Sequence, residues 1–181
     1  MGKSATLSLG TDNIGKLLFN YATPAIIAMA SSSLYHLIDS AFVGHGVGGA
    51  AIAGMAITMP IMNIGSAFGA MVGLGGATQL SVRLGQRDYE SAKLILGNIV
   101  TLNIIVGTLF AGVSLLFLDP VLCFFGASEA TLPFARDYMV VILLGNIITH
   151  LYFGINAALR AAGHPRQAMT ATIITVIGNI I

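Results

Sequence analysis

Asp39 has the clearest chemical potential in this chain, because it is an acid within an apolar stretch that runs from about residue 17 to 43. An ionised carboxylate at bilayer depth costs roughly 2.5–3.5 kcal/mol on insertion scales, so such an acid is rarely kept without a use. Tyr35 lies four residues earlier on the same helix face, where its phenol could hydrogen-bond the carboxylate. We interpret Asp39 as a site for a proton or a cation such as Na⁺. The alternative is an Asp that caps or joins helices near the membrane interface.

Other polar side chains fall at helical spacing in the last two apolar segments of the sequence. They are Asn146, Thr149, His150 and Asn156 in one segment, and Thr172, Thr175 and Asn179 in the next. Taken together with Asp39, these stripes favour an internal polar cavity. A single Asn or Thr is more often a contact between helices, worth about 0.6 kcal/mol. His150 is interpreted either as a proton relay or as a hydrogen-bonded packing residue.

Composition indicates an integral membrane protein. Mean hydropathy is +0.88 and only 8% of the residues are charged, whereas about a quarter are charged in soluble domains. The single cysteine, Cys123, excludes an internal disulfide and a cysteine metal cluster. Motifs for a phosphate loop, a zinc hydrolase or a nucleophile elbow are missing, so we predict neither an enzyme nor an ATP-driven pump, with no metal and no cofactor. The only small ion expected is a coupling ion, H⁺ or Na⁺.

Five hydrophobic runs predict an all-α bundle of membrane-spanning helices, near residues 17–43, 50–82, 94–118, 131–159 and 167–181. Basic residues stay in cytoplasmic loops, and here all except Arg136 precede the first run or follow the second and fourth, which predicts a cytoplasmic N-terminus. They are Lys3, Lys16, Arg83, Arg87, Lys93, Arg160 and Arg166. The fifth run covers only about 22 Å as a helix, short of a roughly 30 Å hydrocarbon core. We therefore expect an N-terminal fragment of a longer transporter.

Several motifs together resemble those of the multidrug and toxic compound extrusion (MATE) family over nearly all 181 residues. Two are prolines inside predicted helices, Pro24 and Pro60, which permit bending because each removes a backbone hydrogen bond. The others are LIDSAFVG at 37–44, SVRLGQRD at 81–88, NAALRAAGHPR at 156–166 and GNII at 178–181.

The resemblance implies twelve helices in two six-helix lobes, of which residues 1–181 would be most of the N-lobe, cut within helix 5. It implies efflux of organic cations or drugs across a bacterial inner membrane by antiport with H⁺ or Na⁺. The partners implied are the lipid bilayer, small organic cations and the C-terminal lobe of the same protein, and no nucleic acid.

Site residues also follow from the resemblance. The family's cation site would use Asp39 with Tyr35, Asn156 and Asn179, and Pro24 matches a proline implicated in bending of helix 1. A further acid of helix 5 would follow just after Ile181.

Two other functions remain open on the sequence. A lipid-linked sugar flippase of the same superfamily would need a more basic cavity to hold pyrophosphate, and only Arg136 is a candidate for it. A membrane scaffold subunit without transport activity would tolerate replacement of Asp39.

Overall fold

The computed structural model describes residues 13–180, apart from the side chains at positions 35, 36, 47, 179 and 180. Every regular element in this range is a helix. In chain order they are α1 (Ile14–Val47), α2 (Gly49–Gly85), α3 (Tyr89–Leu116), α4 (Leu118–Phe124), α5 (Leu132–Leu144), α6 (Asn146–Ala161) and α7 (Pro165–Ile180). Helices α1, α2 and α3 are each long and apolar enough to cross a membrane, and α5 and α6 taken together are long and apolar enough for a fourth, bent span. The predicted all-α membrane bundle is confirmed.

Glycines allow the sharpest turns between helices. Gly48, the only residue between α1 and α2, has a φ of 100°, and Gly163, between α6 and α7, has a φ of 83°. Side chains strain a backbone in this region, so glycine is the residue that lets these helices follow one another so closely. Helix α1 extends to Val47, four residues past the end of the predicted run at residue 43.

The stretch 131–159, treated above as one span, is two helices that meet at an angle of 52° around Gly145. Glycine weakens the interior of a helix by roughly 1 kcal/mol relative to alanine, which makes this the easiest place to break. Just after it, the Asn146 side-chain amide donates to the Gly107 carbonyl oxygen of α3 at 2.9 Å. That bond anchors the start of α6 on α3.

Helix α2 lies at the centre of the bundle and packs against α3, α5 and α6, whereas α1 packs mainly on α7. The buried stripe Gly65, Gly69 and Gly73 on α2 makes the central contacts close, because added Cβ atoms there would meet side chains of α3 and backbone and side chains of α6. Small residues permit such approach between membrane helices. The two cavities described below lie nearer to α1 and α7.

Candidate functional site

A cavity of about 600 Å³ lies between α1, α2, α6 and α7. Cavities of roughly 300–1,000 Å³ accommodate drug-sized ligands. Its wall is mostly apolar, and its polar residues are Ser32, Ser33, Tyr152, Asn156, Arg160 and Thr172. Arg160 is the only formally charged residue among the described residues that line it.

One network of hydrogen bonds holds the polar side of this cavity between α6 and α7. The Asn156 side-chain amide donates to the Ala168 carbonyl oxygen at 3.0 Å and to the Thr172 hydroxyl at 3.4 Å. The Thr172 hydroxyl donates to the same carbonyl at 3.1 Å, and it lies 2.6 Å from the Tyr152 phenol oxygen. Since the Thr172 proton is already used, the phenol is the donor in that last pair. Asn156 and Thr172 are thereby fixed as buried, partnered groups.

Asp39 is half-buried in α1 and lies on the face that carries the cavity residues Ala28 and Ser32. The spacing 28, 32, 35, 39 follows one face of a helix, so Asp39 lies about two turns beyond Ser32. On α7 the spacing 168, 172, 175, 179 follows one face in the same way. The side chains of Tyr35 and Asn179 lie outside the described part of the structure, and their roles stay predictions.

His150 and Asn146 occupy another face of α6, toward α3, and do not line the cavity. The His150 ring is fully buried, and its Nδ1 lies 3.0 Å from the Asn146 carbonyl oxygen. Because a carbonyl oxygen only accepts, Nδ1 is the protonated nitrogen. Added Cβ atoms at Gly69 and Gly107 would both lie 3.2 Å from this ring, so the imidazole fills the space between α2 and α3. Within the described residues its Nε2 has no hydrogen-bond partner.

Two other residues of the predicted site, Thr175 and Pro24, lie outside the hydrogen-bond network of the larger cavity. Thr175 is exposed, and its hydroxyl donates to the Ala171 carbonyl oxygen of its own helix at 2.9 Å. Pro24 is buried inside α1 and lines a second, smaller cavity near the start of α7.

Tyr152, Ser32 and Ser33 line the cavity and Asn103 is a buried polar residue, although none of the four was predicted from the sequence. Tyr152 precedes Asn156 by four residues, the same spacing that links Tyr35 to Asp39, so this signal could have found it. The Asn103 side-chain amide donates to the Ile99 carbonyl oxygen of its own helix at 2.8 Å.

Comparison with known proteins gives consistent matches over nearly the whole chain. The MatE family model matches residues 24–181. The chain is 28% identical over 169 residues to the multidrug export protein MepA of Staphylococcus haemolyticus. It is 29% identical, also over 169 residues, to the FAD transporter of Shewanella oneidensis. Each alignment covers 93% of this chain and 37% of the relative.

Solved structures agree with these relatives. A crystal structure of MATE in the straight conformation matches with a TM-score of 0.88 and 26% identity, over 99% of this chain and 39% of that one. A MOP superfamily transporter from Pyrococcus furiosus, described as having a binding pocket of reverse polarity, matches with the same TM-score and identity. The chain therefore spans less than half the length of the relatives that it matches.

Proposed function

Because the chain belongs to the MatE family, whose proteins are transporters and not enzymes, we propose that it forms one lobe of a carrier that exports organic cations or drugs by antiport with H⁺ or Na⁺. The chain is a multi-pass membrane protein. We place it in a bacterial inner membrane with a cytoplasmic N-terminus, since basic residues favour the cytoplasmic side. The C-terminal lobe of the same protein would complete the transport path.

The observation that carries this proposal is the cavity of about 600 Å³ whose α1 face continues to Asp39. The cavity is large enough for a small organic molecule and mostly apolar, and its few polar groups are fixed by hydrogen bonds. Asp39 is an acid on the same helix face, two turns farther along the span. A ligand cavity and an acid on the same face of one helix favour the exchange of a bound substrate for a bound ion.

Exchange follows from the chemistry of a carboxyl group in a membrane. Desolvation favours its neutral, protonated form, whereas a nearby cation favours the carboxylate. A proton and a cation therefore exclude each other at such a group. In the proposed cycle Asp39 is the switching acid, and Asn156 holds α6 and α7 together behind the cavity. Tyr35 and Asn179 belong to the proposed cation site on the resemblance alone.

Bending of α1 is the proposed step that changes access to this site. Pro24 cannot donate a backbone hydrogen bond and lies in the first third of the 34-residue helix, four residues before the cavity residue Ala28. A bend at Pro24 would reposition the part of α1 that carries Ser32 and Asp39 against α7.

A second candidate substrate class is an aromatic anion. Arg160 supplies the only formal charge among the described residues that line the cavity, and it is positive. One relative is an FAD transporter. Replacement of Arg160 by Gln should impair export of an anionic substrate and spare export of a cation.

The test is gradient-driven uptake of a fluorescent cation into everted membrane vesicles, the direction that corresponds to export from a cell, by the protein encoded by the full-length gene under a proton or sodium gradient. We expect Asp39→Asn to abolish gradient-driven transport. The matched control is Asp137→Asn, an acid on an exposed position of α5, which should transport normally at equal expression. Unchanged transport in Asp39→Asn would remove Asp39 from the mechanism. Absence of transport in the wild type would favour the flippase or scaffold functions.

A further inference from the structure

A second cavity, of about 320 Å³, lies between the first turns of α1 and α7, apart from the larger one. Its polar lining consists of Asn20, Thr23 and Arg166, and its apolar lining of Phe19, Pro24, Ile27 and Met169. We call this set of residues the α1–α7 groove. Phe19 is 75% exposed and Ile27 41% exposed, so the groove opens onto the outer surface of the described bundle.

Polar and apolar residues are ordered along the groove. Lys16, Asn20 and Thr23 follow one another at spacings of four and three, which puts Lys16 on the same face of α1 as the two lining residues, one turn before Asn20. Arg166 is in the first turn of α7, and Met169 follows one turn later. Positive charge is therefore at the entrance to the groove, and apolar surface lies deeper.

Both cations lie at the same end of the bundle because α1 and α7 run parallel. The small cavity joins residues 19–27 of α1 to residues 166–169 of α7, and the large cavity joins residues 28–33 to Thr172. Residue numbers thus rise together along the two helices.

Some cations of the described bundle are held in ion pairs with neighbouring acids. Lys93 lies 3.0 Å from Glu90, and Arg136 lies 3.4 Å from Asp119. Neither Lys16 nor Arg166 forms an ion pair with another described residue. Two cations without an ion-pair partner in the described part of the chain, next to two neutral hydrogen-bonding side chains, make a receptor for one anionic group that accepts several hydrogen bonds.

We propose that the α1–α7 groove binds an anionic phospholipid of the cytoplasmic leaflet, with its phosphate at Arg166 and Lys16 and an acyl chain against Phe19, Ile27 and Met169. Asn20 and Thr23 can donate to the phosphate oxygens from the same side. Basic pockets between membrane helices on the cytoplasmic side bind lipid head groups in this way. A lipid is favoured over a free phosphate ion because only a lipid also covers the exposed apolar wall. This inference rests on the cytoplasmic N-terminus proposed above for the choice of leaflet, and it does not depend on which substrate is transported.

The test uses native mass spectrometry of the protein encoded by the full-length gene, with phosphatidylglycerol and phosphatidylcholine as probes. We expect phosphatidylglycerol to bind the wild type more tightly than phosphatidylcholine. Arg166→Gln and Lys16→Gln should each weaken phosphatidylglycerol binding about five-fold, the factor for one cation near a lipid surface. The matched control is Lys93→Gln, which removes a paired cation and should leave the affinity unchanged.

A conservative variant and a competition experiment test the proposal further. Arg166→Lys retains the charge and should recover most of the affinity lost in Arg166→Gln, which a purely structural role of Arg166 would not predict. Inorganic phosphate at millimolar concentration should not compete with the lipid. Equal affinity for both lipids in the wild type would overturn the proposal and indicate that another part of the protein covers the groove. Effective competition by inorganic phosphate would overturn it in favour of a simple anion site.

Discussion

Two faces of α6 carry polar side chains, and the structure uses them in opposite ways. Toward α7, Asn156 and Tyr152 border an open cavity and bond to groups on the neighbouring helix. Toward α3, His150 and Asn146 are packed without space against Gly69 and Gly107. Both faces are hydrogen-bonded, yet only the first leaves room for a ligand. Polar residues within a membrane span therefore indicate a binding site only where the neighbouring helices leave space beside them.

Removal of the His150 ring should have the largest effect on stability. His150→Ala would leave a void between α2 and α3 and remove the bond to the Asn146 carbonyl oxygen, at a cost of about 2–4 kcal/mol. The free energy of unfolding in detergent, measured by denaturant titration, checks this. Thr175→Ala, at an exposed position of α7, should stay within about 0.5 kcal/mol of the wild type. A similar small loss in both variants would contradict the close packing of this face.

Gly154 tests the same packing from the opposite direction, by adding a methyl group. A Cβ at this position would overlap the Asn103 side-chain amide and lie 3.0 Å from an Ile99 methyl carbon. Gly154→Ala should therefore destabilise the bundle by about 1–3 kcal/mol. At Gly97, also within a helix, the added Cβ would have no neighbour within 4 Å, so Gly97→Ala should stabilise by about 0.5–1 kcal/mol. The melting temperatures of the two variants are compared by thermal unfolding. A shift in the same direction for both would contradict the difference in packing between Gly154 and Gly97.

On the cavity face, function should change more than stability. Tyr152→Phe removes the phenol that donates to Thr172 at 2.6 Å, and such contacts between membrane helices contribute about 0.6 kcal/mol. We expect a several-fold change in the apparent affinity for the exported substrate, because the same phenol lines the cavity. Tyr89→Phe, at an exposed position at the start of α3, is the control. Unfolding and vesicle transport are measured on the same preparations, and a large loss of stability with normal transport would make Tyr152 a packing residue.

The class of fold could be predicted from composition and from the length of the hydrophobic runs, because a bilayer demands long apolar helices. The family could be predicted from motifs such as those at 37–44 and 156–166, and the match over residues 24–181 confirms it. The bend at Gly145 could not be predicted, because a glycine inside an apolar run can be part of a continuous helix or of a bend. The bend is accompanied by a contact with α3, in which Asn146 donates to the Gly107 carbonyl oxygen.

The separation of the two polar faces could be predicted only in part. His150 and Asn156 are six residues apart, which rotates them by about 120° around a helix, so the spacing alone puts them on different faces. Which face borders the cavity depends on which neighbour is close. Gly107 on α3 and Gly69 on α2 close the His150 side, and nothing in the sequence of α6 contains that information.

A polar contact at the start of α3 should contribute less to stability than either polar face of α6. Asp88 precedes α3, and its carboxylate accepts from the Ser91 backbone N–H at 3.1 Å. Hydrogen bonds from Ser91, and then the Arg83 guanidinium, lower the pKa of Asp88 below its ordinary value of 3.8. A lowered pKa in the folded state means that this contribution to stability is full above about pH 4 and declines as the pH falls below it.

Asp88→Asn should therefore have its effect only through charge. Asparagine also accepts a hydrogen bond at a helix N-terminus, so the cap remains at every pH. Near neutral pH the variant should lose only the small contribution of an exposed charge next to Arg83. When melting temperatures are measured from about pH 5 to about pH 3, that of the variant should fall less than that of the wild type. Parallel curves would show that the Asp88 charge does not contribute. If Asp88→Asn lost as much stability at neutral pH as is expected for His150→Ala, this turn, and not the packed face of α6, would limit the stability of the bundle.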